Sequence, residues 1–318
     1  MKTHRIMLYI MISVLLSCCS KKAEPTVKEG FIEVTGGRVW YKMIGMDKQG
    51  IPLLVLNGGP GAPHDYLESL EPLAKDRPVI FYDQLGCGNS DMPSDTLLWT
   101  VERFIEELAQ VRDAINLKDI HLLGQSWGSM LAVEYLLNKN PSGIHSLILS
   151  APFLSTPRWV ADQQYWISQL PESVQDTIRK YENNGDYAAP AYQEAMNIFY
   201  AKHVCRMDPW PECLLSTFGK MGKEVYEYMF GPSEFTQTGT LKNRDLSESL
   251  HLIKIPVLLT CGEFDEARPE SVRFFQQLVP GSEAYVFEGA SHSHHLEKPE
   301  EYNQVVNDFL KRNDTILK

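Results

Sequence analysis

Several things are missing from this sequence, and each absence closes off a class of function. There is no P-loop, no internal repeat and no low-complexity tract, which argues against a P-loop nucleotidase, a solenoid and a disordered scaffold. Positive charge is in deficit: 30 Lys and Arg stand against 41 Asp and Glu, a net charge of −11. A nucleic-acid partner is therefore not expected, because phosphates call for a basic face. Cysteine is sparse, at six residues, and no spacing reads as a zinc site. The apolar run Ile6–Leu16 is too short to span a bilayer comfortably.

That run belongs to an N-terminal segment with its own character. Lys2 and Arg5 precede it, and Leu15-Leu16-Ser17-Cys18 follows. The pattern is that of an export signal, and its end resembles a bacterial lipobox, in which a small residue precedes the cysteine that is lipidated. The expectation is a signal peptide over 1–17, lipid on Cys18, a polar tether over 18–30 and a body starting near Phe31. The chain would then be exported and held to a bacterial membrane through its lipid. An ordinary secretory signal or a short membrane anchor are the other readings. Of the remaining cysteines, Cys87 lies in a Gly-rich turn and Cys261 ends an apolar run. Cys205 and Cys213 are close enough in sequence to leave a disulfide open, which export would permit.

What is plentiful is apolar: 43% of 318 residues, enough for one large α/β domain with an insertion or for two small domains. Phe31–Val34 and Arg38–Ile44 flank Gly36-Gly37 and read as a hairpin. Leu53–Leu56, Val79–Tyr82, Ile120–Leu123, Ser146–Leu149, Pro256–Cys261 and Ala284–Phe287 are short apolar runs. Helical patterns separate them over Val101–Ile115, Ser126–Asn138, Pro269–Leu278 and Pro299–Lys311. This alternation predicts a mostly parallel sheet with helices on both faces. It stops between Ser155 and Leu250, where aromatic-rich amphipathic segments replace strands. The core is thus expected over 31–154 and 251–318, with an inserted helical cap over 155–250.

Three loops carry the chemistry. In "HLLGQSWGSMLAVEYLL" an apolar run ends in Gly124-Gln125-Ser126-Trp127-Gly128 and a helical pattern begins at once. A serine on such a strand-to-helix turn, with glycines two residues to either side, is the arrangement of a nucleophile elbow. The acid should come next and the histidine last, each just past a strand. After Pro256–Cys261 stands Gly262-Glu263-Phe264-Asp265-Glu266, with Asp265 the natural acid and Glu263 and Glu266 its competitors. After Ala284–Phe287 come His292, His294 and His295. His292 is first in the loop and the best general base, which leaves His294 and His295 as structural or rim residues. Of the other histidines only His64 sits where the crevice should be. The third loop, Asn57-Gly58-Gly59-Pro60-Gly61, follows a strand and has a bare backbone. The N–H groups of Gly59 and Trp127 are assigned as oxyanion donors.

Taken together, "NGGPGAPHDYL", "YDQLGCGNSD", "GQSWGS", "HVCRMDPWP", "GPSEFTQTGTL", "CGEFDEARPE" and "ASHSHHLEKPEEY" resemble the prolyl aminopeptidase (proline iminopeptidase) family of α/β-hydrolases. Within it they are closest to the tricorn-interacting aminopeptidase branch. The resemblance runs from about Leu53 to Tyr302. It implies the α/β-hydrolase fold, no metal and no cofactor. It also implies release of an N-terminal residue, often proline, from short peptides or aminoacyl-amides. It implies, further, that Glu234 and Glu266 hold the substrate's free ammonium. The family usually has His where this chain has Asn57, which puts loop orientation in question. An amidase, esterase or lactonase on the same Ser-His-Asp set is the alternative enzyme, and a catalytically silent ligand-binding lipoprotein is the alternative outside enzymes.

Overall fold

The structure, a computed structural model, describes residues 26–314. The export signal and Cys18 lie outside the described residues. Among those described, no helix is long and apolar enough to cross a membrane.

Eight strands form one sheet in the order β1-β2-β4-β3-β5-β6-β7-β8. They are β1 Val27–Val34, β2 Gly37–Ile44, β3 Leu53–Leu56, β4 Val79–Tyr82, β5 Ile120–Gln125, β6 Ile144–Ser150, β7 Val257–Gly262 and β8 Glu283–Phe287. The β1–β2 hairpin is antiparallel, β2 joins β4 antiparallel, and every pairing from β4 through β8 is parallel. Residues of β3, β4, β5 and β7 are buried throughout. That explains their unbroken apolar reading, because helices cover both faces. The core helices are α1 Val101–Ala114, α2 Trp127–Lys139, α8 Pro269–Leu278, α9 His294–Glu297 and α10 Pro299–Arg312. Thr100 caps α1 by accepting from the Arg103 N–H, and Asn140 ends α2 in a left-handed conformation at φ 44°. Proline opens α8 and α10 where no helical N–H is needed.

Between β6 and β7 the chain makes a cap of five helices: α3 Thr156–Ser168, α4 Glu172–Asn184, α5 Pro190–His203, α6 Glu212–Gly219 and α7 Lys223–Met229. Its two ends meet in a bridge between Ser155 and Asp245. The cap has its own apolar cluster, built on Ile167, Ile178, Tyr192, Met196, Phe199 and Phe235.

The structure corrects the sequence reading in three places. The body starts at Val27, so residues 27–30 are strand rather than tether, paired from Val27↔Ile44 onward. Val27, Lys28 and Glu29 are exposed on an edge strand, which leaves no buried alternation to betray them. The segment His64–Lys75, given no structure from the sequence, is a 3₁₀ helix with Pro72 inside it. Cys205 and Cys213 are both free thiols, so the open disulfide is not formed.

Candidate active site

The elbow shows why glycine flanks the serine. A Cβ on Gly124 would lie 2.2 Å from the Gly128 carbonyl oxygen, and one on Gly128 would lie 2.3 Å from that of Leu56. Strand β5, helix α2 and the end of β3 therefore close on one another only without side chains there. Ser126 itself is held at φ 53° and ψ −121°, an unfavourable region for an L-residue. Its N–H donates to Ser150 O at 2.9 Å, and its carbonyl accepts from the Ser129 N–H at 2.9 Å and from Ser129 Oγ. The turn is thus fastened on both sides of the hydroxyl.

Asp265 and His292 arrive on the loops after β7 and β8. Asp265 Oδ1 is 2.8 Å from His292 Nδ1 and also accepts from the Ala267 N–H at 2.9 Å, while Oδ2 accepts from the Gly262 N–H at 3.1 Å. Its rivals point elsewhere. Glu263 is exposed and accepts from the Gly289 N–H at 2.9 Å, and Glu266 faces the cleft. His292 lines the same cleft as Ser126. His294 is buried beneath, with Nε2 3.1 Å from Ser150 Oγ and 3.0 Å from Thr260 Oγ1. Burial drives its pKa well down. His295 is buried too, edge-on to Tyr66, and burial lowers it to about 3, so it is no rim residue. His64 is also corrected: it stacks on Trp40 and bonds Asp83 Oδ1 at 2.8 Å, away from the cleft lining.

The loop after β3 reaches the serine from the other side. Gly59 takes φ +103°, where a Cβ would lie 2.6 Å from the backbone nitrogens of Gly61 and Ala62. Trp127 is the first residue of α2, so its N–H has no helical acceptor. Asn57, the departure from the family pattern, proves to be a tie. Its amide donates to Ala62 O across the loop, and Gln84 Nε2 donates to Asn57 Oδ1 at 2.8 Å and to its carbonyl at 3.0 Å. Gln84 Oε1 in turn accepts from Trp127 Nε1 at 3.0 Å. One network therefore links the loop that carries Gly59 to the side chain of Trp127.

The cleft is rich in aromatic side chains, among them Phe153, Trp159, Tyr200, Phe218, Tyr226 and Phe230, and two carboxylates stand among them, Glu234 and Glu266. Glu266 is buried, and one of its oxygens has no hydrogen-bond partner. Burial, then the nearby charges of Glu234 and Asp265, push its pKa well up. Burial also raises Glu234, whose Oε1 accepts from the Tyr226 hydroxyl. No lysine or arginine among the described residues lines the cleft. Among the described residues, no group of three or more His, Cys, Asp or Glu stands where it could hold a metal ion.

The sequence reading missed the side chains that splint these loops. Trp166 of α3 donates from Nε1 to Asp265 O at 2.8 Å and stacks on His203 at 4.3 Å. His203 Nδ1 bonds Phe264 O at 2.8 Å, and its own carbonyl accepts from the His292 N–H at 3.0 Å. The cap thus grips the acid loop and the histidine loop together. "HVCRMDPWP" hinted at this segment, but nothing in sequence said what it touched. Tyr226 was likewise one aromatic among many.

The chain matches known proteins over nearly its whole described length. Residues 51–191 match the family model for the alpha/beta hydrolase fold. Over 283 residues the chain is 48% identical to a proline iminopeptidase of Heyndrickxia coagulans, covering 89% of this chain and 98% of the relative. The crystal structure of VinJ superposes with a TM-score of 0.86 at 34% identity, over 90% of this chain and 99% of that one. That of a proline iminopeptidase from Mycobacterium smegmatis superposes at 0.83 and 35%, again over 90% and 99%.

Proposed function

The chain belongs to the proline iminopeptidase family of α/β-hydrolases, and on that premise we propose how its residues divide the work. It is a serine peptidase that releases an N-terminal residue, proline by the names of its relatives, from a short peptide. Ser126 Oγ attacks the first peptide carbonyl. His292 takes the serine proton and passes it to the leaving amine, so the C–N bond breaks and an acyl-enzyme remains. Asp265 holds the Nδ1 proton and stabilises the imidazolium. The N–H groups of Gly59 and Trp127 receive the oxyanion. Water, activated by His292, then hydrolyses the ester and restores Ser126.

The observation that carries this reading is the pair Glu234 and Glu266, raised in pKa, in a cleft that no described lysine or arginine lines. A buried carboxylate costs several kcal/mol unless it is paired. The substrate's free ammonium supplies that partner, and its position fixes which carbonyl meets Ser126. A hydrolase of neutral esters or lactones has no use for such a pair. The test is a panel of aminoacyl-arylamides, each with and without an N-acetyl block. Prolyl-arylamide should turn over and its acetylated form should not; equal turnover of both would refute the clamp.

The lipid anchor remains part of the proposal, supported by the Leu15–Cys18 pattern. Cys18→Ser should abolish lipid labelling and release active protein from membranes. Labelling that survives would refute it.

A further inference from the structure

Glu182 lies near the C-terminal end of α4 and is not part of the cleft lining. Its half-buried carboxylate collects three hydroxyls. Tyr192 of α5 donates to Oε1, Ser233 Oγ donates to Oε1 at 2.7 Å, and Thr236 Oγ1 donates to Oε2. Among the described residues no lysine or arginine forms a salt bridge with it. Two of the three hydroxyls belong to the short loop that carries Glu234. Ser233 Oγ is also the hub of that loop, accepting from the N–H of Phe235 at 3.1 Å and of Thr236 at 3.0 Å. Glu234 sits inside this turn, and its carboxylate is held from the other side by the Tyr226 hydroxyl.

We propose that Glu182 is a positioning residue for amine recognition: it pins Ser233 and Thr236 so that Glu234 stands at a fixed distance from Ser126. Hydrogen bonds to an ionised carboxylate are among the stronger ones. Two of them hold the loop and the third, from Tyr192 of α5, holds the carboxylate itself, which fixes the loop better than apolar contact alone. The demand is strict, because a displacement of about 1 Å far from the chemistry can cost on the order of a hundredfold in rate. Glu182 touches neither Ser126, His292 nor the oxyanion loop, so its effect falls on substrates that carry a free amine. The proposal rests on the ammonium-clamp reading of Glu234 and refines it.

The test compares kcat and KM for prolyl-arylamide and for p-nitrophenyl acetate, which has no amine, in Glu182→Ala, Glu182→Gln, Ser233→Ala and Glu234→Gln. Glu182→Ala should lower kcat/KM on the arylamide about tenfold or more, chiefly through KM, and change the ester rate less than about threefold. Glu182→Gln should recover most of the loss. Its amide oxygen can accept from Tyr192 and Ser233, and its NH₂ can donate to Thr236 Oγ1. Ser233→Ala should repeat the selective loss, and the double variant should lose little more than the worse single one. If Glu182→Ala does not fold, Ser233→Ala and Glu182→Gln decide the matter. Equal losses on both substrates, no loss, or a Gln variant as poor as Ala would overturn the proposal. If Glu234→Gln leaves arylamide turnover intact, the clamp itself fails, whatever Glu182 does.

Discussion

At the residue scale, His292 and His294 stand two positions apart and do different work. His294 contacts Ser150 and Thr260 and is buried without access to the cleft. His294→Ala should therefore cost about 1–3 kcal/mol in urea denaturation and keep most of the turnover, since its one approach to the proposed triad is Nδ1 at 3.6 Å from Asp265 Oδ2. His292→Ala should remove nearly all turnover with little change in stability. The reverse pattern would mean the wrong histidine was chosen. Glu266 offers a test with the opposite sign. Its folded pKa is raised, chiefly by burial, so its contribution to stability is present below the ordinary glutamate range and is lost as pH rises through the raised value. At neutral pH the raised group therefore costs the substrate-free protein stability. Glu266→Gln should stabilise it there by about 1 kcal/mol or more, with the gain shrinking toward pH 4, while arylamide turnover falls. Thermal unfolding across pH checks both parts. That Ser126, Asp265 and His292 would come together was legible in sequence, because the proposed chemistry calls for those types after strand ends in that order. Glu182, Tyr226 and the Trp166–His203 clasp were not, because their partners lie far along the chain and only the folded cap brings them together.

At the element scale, the six parallel strands from β3 to β8 were legible to within two residues; full burial of β3, β4, β5 and β7 leaves an apolar run with sharp ends. Helices α8 and α10 began where proline said they should. The start of β1 was hidden by its exposed edge, and α6 by the prolines and charges around it. The elbow is the element least tolerant of change. Gly128→Ala puts a methyl against the carbonyl oxygens of Leu56 and Asn57, at 2.3 and 2.8 Å. Those oxygens belong to backbone that cannot swing aside, so the variant should lose about 3 kcal/mol or more. It should also lose activity on amine and ester substrates alike. A stable Gly128→Ala variant with normal turnover would show that the strand–helix junction is looser than it looks.

At the scale of the whole molecule, the proposed chemistry assigns hydrolysis to the ends of the sheet and would divide recognition of the amine between a core loop and the cap. If Glu234 and Glu266 hold the amine as proposed, they also tie the protein's survival to its diet. A small amine in the cleft provides the counter-charge that folding left out, and a ligand at a hundredfold excess over its Kd adds about 2.7 kcal/mol to the folded state. Proteases that sample the open chain then find it less often. The enzyme is thus expected to persist where N-terminal peptide fragments abound and to be cleared where they are scarce. A proline amide added to a proteolysis assay should lengthen its half-life, and in Glu234→Gln that protection should vanish.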